Sequence, residues 1–312
     1  MKEPLEEASS SGRHKTSLQV PLVSISIVIP TKNRSSYVEE TLDTLMNQSI
    51  RPNEVILADD STDLATKELV EKYRTRYLSK NVELRHVWDS GSTARARTLG
   101  GLISRGEIIV YMDDDLIIRN DTIGILVKTL ERKTDAMAVW GNICFQDSRR
   151  SRLIKIVGNP YYRFIFGRNR RGGRLFAVRR KVLEDGVWFD HNLDGYALCE
   201  DLDFACNLHK HYGSRGIVQV ENSTLALNKG TLIKSKEYYA SLFGTTIYFS
   251  KKWGGAPHLI AAVPLTLFLC GFHMISEGGR GKSAINKKEI VEACLNVLKN
   301  LKSVLNGKFD RV

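Results

Sequence analysis

The chain has 312 residues, 42% of them hydrophobic, which suits one large α/β domain with appended segments. Its 46 Lys and Arg against 35 Asp and Glu leave a net charge of +11, which points to an anionic partner: nucleic acid, a membrane surface or a phosphorylated ligand. Five cysteines, an odd number with no CxxC pair, argue against a disulfide framework or a zinc knuckle and for a reducing compartment.

Residues 1–20 are polar and lack the apolar run of a signal peptide, so a disordered tail is expected there. "VSISIVIP" (23–30) then reads as a buried parallel strand. A helix follows, with Ser35 or Ser36 as its cap and Val38, Leu42 and Leu45 on one face. "NEVILADD" (53–60) is a second strand, 62–78 a second amphipathic helix and "VELRHVW" (82–88) a third strand. Residues 92–106 read as a third helix stopped by Gly106, and "EIIVYM" (107–112) as a fourth strand. This alternation predicts an open, mostly parallel sheet with helices on both faces.

Ligands of such sheets bind at the carboxyl ends of the strands. Asp59-Asp60 and Asp113-Asp114-Asp115 both fall there, so two acidic clusters meet at one crevice. Adjacent carboxylates need a counter-charge. Oxygen ligands with little else suit Mg²⁺ or Mn²⁺, which keep waters and share substrate phosphates. There is no GxGxxG after the first strand and no GxxxxGK[ST], which argues against a dinucleotide-binding domain and a P-loop.

Four stretches, "SIVIPTKNR" (26–34), "EVILADDSTD" (54–63), "GSTARARTLGGLISRGEIIVYMDDD" (91–115) and "CEDLDFACNLHKHYG" (199–213), resemble the successive signatures of family 2 glycosyltransferases, in order and spacing. The resemblance covers about residues 23 to 230. It implies the GT-A fold, a Rossmann-like sheet, and a nucleotide-sugar donor. It implies that Pro30, Thr31 and Asn33 line the nucleotide pocket and that Asp60 accepts a hydrogen bond from the base. Arg97 falls near the donor, with Thr98 where relatives carry Asn. Asp113, Asp114 and Asp115 form the DXD element: Asp115 as metal ligand, Asp113 near ribose and sugar. Asp201 is the implied catalytic base and Glu200 lies on the acceptor side. Asn228 stands where many relatives place a metal-binding His.

The residues suit that chemistry. A cation stabilises a diphosphate leaving group without proton transfer. A carboxylate can take the proton of an acceptor hydroxyl, and attack from the opposite face inverts the anomeric carbon. "CEDLDFACNLHKHYG" reads as a helix from Glu200 to Tyr212 closed by Gly213, with Asp201 in its first turn.

From Ser148 to Leu183 there are 12 Lys and Arg, Arg170 and Arg171 among them, and no Asp or Glu. This stretch, interleaved with Tyr161, Tyr162, Phe164 and Phe166, is expected on the acceptor side against anionic lipid or a polyprenyl diphosphate; no nucleic acid is expected. Residues 236–255 read as an aromatic amphipathic helix ending in Lys251, Lys252 and Trp253, which suits a membrane interface. "HLIAAVPLTLFLCGFHMIS" (258–276) is near the lower limit for a span, and is read as interfacial or re-entrant. The tail 286–307 is one amphipathic helix with Asn286 and Glu289 at capping-box spacing.

The expected organisation is therefore a tail (1–20), a GT-A domain (21–230, nucleotide half 21–115 and acceptor half 116–230) and a C-terminal helical membrane-associating segment (231–312). The expected activity is metal-assisted, inverting transfer of a sugar to a hydroxyl of a lipid-linked saccharide or surface glycan, at the cytoplasmic face of the cell membrane, by a peripheral or monotopic protein. Three alternatives compete. A polyprenyl-phosphate sugar synthase would need no base. A non-catalytic basic membrane-binding module would ignore the aspartates. A nucleotidyltransferase fits poorly, because "TKNRSS" is not a Gly-rich basic loop.

Overall fold

The computed structural model describes residues 23–88, 91–145, 172–195, 198–230, 235–277 and 287–309; at 221–222 and 272–277 only the backbone is described. The N-terminal tail and Arg170 and Arg171 lie outside the described residues.

β1 (Ile25–Thr31), β2 (Glu54–Asp59) and β4 (Ile108–Met112) are buried at every position, as their unbroken apolar runs require of strands covered on both faces. With β3 (Glu83–Trp88) they form a parallel half-sheet in the order β3-β2-β1-β4. The sheet continues through β7 (Leu175–Arg179), β6 (Ala138–Phe145), β8 (Ile217–Asn228) and β5 (Leu116–Ile118). Here β4–β7, β6–β7 and β5–β8 are antiparallel and β6–β8 is parallel. The sheet is thus mixed, with the parallel pairs in the majority.

α1 (Ser35–Met46) and α2 (Ala65–Leu78) cover one face, packing Val38, Leu42 and Tyr73 with Ile27 and Leu57. α3 (Thr93–Ile103) covers the other, drawn in so far that a Cβ on Gly100 would sit 2.3 Å from Val28. α4 (Thr122–Arg132) and the short α5 (Lys181–Glu184) complete this part. Two boundaries differ from expectation. α1 has no side-chain cap; Arg34 stands at its N-cap position, after Asn33 turns the chain through φ 53°. Gly106 does not stop α3, which ends at Ser104; instead Gly106 lies where a Cβ would meet the Ser26 backbone nitrogen at 2.5 Å. α6 (Glu200–Tyr212) closes on Gly213 at φ 72°, as its sequence predicts.

Beyond the sheet run α7 (Lys236–Glu277), α8 (Lys287–Lys299) and α9 (Leu301–Val304), so the single tail helix expected from the sequence breaks at Asn300. Tyr239, Phe243, Cys294 and Val297 share one apolar core with Trp140, Phe176, Phe189 and Phe204 of the sheet side. Burying each such side chain is worth roughly 1.5–3 kcal/mol. α7 kinks at Gly255 (φ 66°), two residues before Pro257. Residues 239–250 are buried all round, so the stretch expected to be amphipathic is a core helix. Past the kink, Ile260, Leu267 and Phe268 are 77, 52 and 67% exposed. Among the described residues, 236–271 is the helix long and apolar enough to cross a membrane by length and composition.

Candidate active site

The carboxyl ends of β1, β2 and β4 and the N-terminus of α6 converge, and they bring most of the expected residues together. The β1 end is stitched to the β2 end. Asn33 donates its N–H to Ser61 Oγ at 2.7 Å, and its Oδ1 accepts from the Thr62 N–H at 2.8 Å. Asn tolerates the left-handed backbone this turn needs. Pro30 lies beside Ala58 in the β1–β2 register. Asp60 accepts from the Gly91 N–H at 3.0 Å and from Lys32 Nζ at 2.7 Å.

The three aspartates are held separately. Asp113 accepts from Arg97 Nη2 at 2.6 Å, and Arg174 Nη1 lies 3.5 Å from its other oxygen. Asp114 accepts from Thr31 Oγ1 at 2.8 Å and pairs with Arg34 Nη1 at 2.8 Å. Asp115 pairs with Arg34 Nη2 at 2.8 Å, accepts from Asn228 Nδ2 at 2.5 Å and has Arg174 Nη1 3.5 Å away. The counter-charge that the sequence called for thus comes from three guanidinium groups. Burial still pushes Asp114 up to about 7, against the pull of Arg34. Burial likewise raises Asp113, against Arg97 and Arg174.

Arg97, expected near the donor, is 1% exposed. Its Nη1 bonds Glu200 Oε1 at 2.6 Å while Nη2 holds Asp113, and its guanidinium lies 5.9 and 5.7 Å from the Phe176 and Phe189 ring centres. It therefore acts as a strut between the aspartate run and the first turn of α6. Burial raises the Glu200 carboxyl, with Arg97 opposing. Asp201 is half-buried beside Glu200; a Cβ on Gly172 would lie 3.0 Å from its Oδ2. The turn into α6 is strained, because Cys199 sits at φ 69°.

A second set of contacts fixes α6 from behind. Asp203, fully buried, accepts from Lys252 Nζ at 2.8 Å and Trp253 Nε1 at 2.8 Å. Lys252 also reaches Asp190 at 2.6 Å. Lys252 and Trp253 suit an interface on sequence grounds; the structure also ties the nitrogen of each to the helix that carries Asp201.

Whether a divalent cation suits these residues is decided by the oxygens present. Among the described residues no group of three or more His, Cys, Asp or Glu is placed to hold an ion. Asp115 has a neighbour in Asn228, whose Oδ1 is buried with no hydrogen-bond partner and whose amide is aimed at Asp115. One or two carboxylates, an amide oxygen and donor phosphates make a hard-oxygen set of the kind Mg²⁺ and Mn²⁺ accept. The residues fit.

Sequence reasoning missed Arg34, Arg174 and Lys252 as partners. Arg34 and Arg174 were visible only as cations within "TKNR" and the basic stretch, since their carboxylates lie far off in the chain.

Residues 26–184 match the family model described as Glycosyl transferase family 2. Among curated proteins, the chain is 29% identical over 118 residues to glycosyltransferase GlyG of Streptococcus pneumoniae serotype 4, covering 38% of each. It is 29% identical over 104 residues to the poly(ribitol-phosphate) beta-N-acetylglucosaminyltransferase TarS of Staphylococcus aureus, covering 33% of this chain and 18% of TarS. The matched stretches thus span well under half of those relatives. Solved structures extend the likeness of fold. TarS 1–349 with UDP-GlcNAc superposes with a TM-score of 0.53 at 16% identity, over 92% of this chain and 89% of that one. The mannosyltransferase PcManGT of Pyrobaculum calidifontis, in complex with GDP-Man and Mn²⁺, gives 0.57 at 16% identity, over 93 and 85%. With a model match over half its length and this fold, the chain belongs to glycosyl transferase family 2.

Proposed function

We propose that this glycosyltransferase moves a sugar, with inversion, from a nucleoside-diphosphate sugar to a hydroxyl of a lipid-linked saccharide or surface glycan. The observation that carries the reading is the Arg97 strut, which joins the donor-side Asp113 to the turn bearing Glu200 and Asp201. Donor carboxylate and base thereby belong to one rigid unit, as a reaction between two bound substrates requires.

Pro30, Thr31, Asn33 and Asp60 receive the nucleotide; Asp60 exchanges Lys32 for a base N–H. Asp113 takes the ribose and sugar side. Asp115, with Asn228 and Asp113 near, holds Mg²⁺ or Mn²⁺, which when bound supplies positive charge to the diphosphate. Asp201 takes the proton of the acceptor hydroxyl as its oxygen bonds the anomeric carbon, and the nucleoside diphosphate departs from the opposite face. Glu200 stays on the acceptor side, oriented by Arg97. Arg170 and Arg171 of the basic stretch meet an anionic acceptor. TarS, named for a poly(ribitol-phosphate) acceptor, lends support to a phosphate-bearing one.

The site of action in this reading is the cytoplasmic face of a membrane. Ile260, Leu267 and Phe268 recur at helical spacing on α7, and no Asp, Glu, Lys or Arg occurs from residue 254 to 276.

Calorimetry with UDP, GDP and dTDP, with and without Mn²⁺, on the wild type and Asp115→Ala tests the donor site. One nucleotide is expected to bind, only with metal and only with Asp115 intact. Failure of all three in every combination would reject it.

A further inference from the structure

We propose that Arg34 is an exchangeable counter-charge: its guanidinium holds the cation's place on Asp115 until metal and donor arrive, and leaves Asp115 when they do. The inference rests on the reading that Asp115 is the metal ligand.

Three facts carry it. Both oxygens of Asp115 are engaged, Oδ2 by Arg34 Nη2 at 2.8 Å and Oδ1 by Asn228 Nδ2 at 2.5 Å. Asp115 is 3% exposed, so an entering cation must take the face that Arg34 now covers. That face is also built to be narrow. A Cβ at Gly230 would fall 1.7 Å from Asp115 Oδ2 and 3.0 Å from Arg34 Nη2, so only glycine leaves the space the guanidinium fills.

Of the three guanidinium groups at the site, Arg34 is the one that both holds Asp115 closely and is open to solvent. The Arg97 side chain is 2% exposed and bonded at both ends of its fork. The Arg174 side chain, 32% exposed, stands off at 3.5 Å from Asp113 and Asp115, so it holds neither closely. The Arg34 side chain is 35% exposed. It sits 4.5 Å above the Tyr37 ring and keeps Asp114 as a second partner, so it can give up Asp115 without losing all its contacts. A buried carboxylate left bare is costly, and a built-in cation that yields to a dication avoids that state in the empty protein.

Mn²⁺ binding to the full chain without nucleotide, followed by calorimetry and by the paramagnetic signal of free Mn²⁺, reads this directly. Arg34→Gln is expected to bind Mn²⁺ about tenfold more tightly than the wild type, a change of about 1.4 kcal/mol. Arg34→Lys, which keeps a charge without the fork, is expected to fall between, and Arg34→Gln with Asp115→Ala to lose the gain. An Arg34→Gln affinity equal to or weaker than wild type, while Asp115→Ala abolishes Mn²⁺ binding in the presence of UDP, GDP or dTDP, would overturn the proposal and leave the metal reading standing. If no variant binds Mn²⁺ in an Asp115-dependent way, with or without those nucleotides, the metal reading itself fails and takes the proposal with it.

Discussion

Two clusters of buried carboxylates flank α6, and they are built on the same chemistry to opposite ends. On the cleft side, Asp113, Asp114 and Asp115 are matched by Arg34, Arg97 and Arg174. On the far side, Asp190 and Asp203 are matched by Lys252, with Tyr248 and Trp253 completing their hydrogen bonds. The first cluster includes a partner with a third of its surface open, and two of its pairs stand off at 3.5 Å. The second is tighter, with Asp203 fully buried and its contacts and those of Asp190 to Lys252, Tyr248 and Trp253 all within 2.8 Å. A looser ion-pair cluster at a crevice leaves room for ligands; a tight one behind the helix fixes position. The difference teaches that α6 has a working end, Glu200 and Asp201 at the crevice, and a fulcrum, Asp203 pinned by Lys252 and Trp253.

The sharpest test of that contrast is on the working end. Asp201→Asn is expected to lower kcat by about a thousandfold, within the span of general-base effects, while nucleotide binding stays as in the wild type. Substantial residual activity would instead indicate an acceptor already ionised, such as a polyprenyl phosphate. On the fulcrum, Lys252→Met leaves Asp190 and Asp203 without their cation and is expected to cost about 3 kcal/mol of stability, measured by denaturant unfolding. A loss under 1 kcal/mol would mean that the far cluster is no rivet. Trp253→Phe removes one hydrogen bond to a charged acceptor and should cost about 2 kcal/mol. The same cluster also responds to pH. Burial raises Asp203 to about 6, with Lys252 opposing. Its folded pKa lies above the unfolded one, so the folded state binds the extra proton. The stability this proton contributes is therefore full below about 4 and is lost as pH rises to about 6, by up to about 3 kcal/mol. Asp203→Asn should lack that slope, and an unchanged slope would place the titration elsewhere.

Much of this was legible in the chain. The strands β1 to β4 follow from apolar runs ending in polar turns, and α6 from Glu200 to the Gly213 stop. The antiparallel half was not. β7 is a five-residue strand inside the basic stretch, and β6 and β8 pair with two register shifts, so no period of two survives to be read. Lys252 and Trp253 hid a second role for a related reason: beside an apolar segment they match a membrane border, and nothing local shows that Asp203, 49 and 50 positions away, is their partner.

By itself the sequence determined the parallel half-sheet, the placing of both acidic runs at its carboxyl edge, and the motifs of a family 2 glycosyltransferase. These depend on local pattern: apolar periodicity sets the strands, and strand ends set the crevice. Only the tertiary structure decided which cation faces which carboxylate. Arg34 meets Asp115 across 81 positions and Arg97 meets Glu200 across 103. Charge acts through space over a few ångströms and is blind to chain order, so composition can announce that the aspartates are balanced while only the folded chain says by which guanidinium.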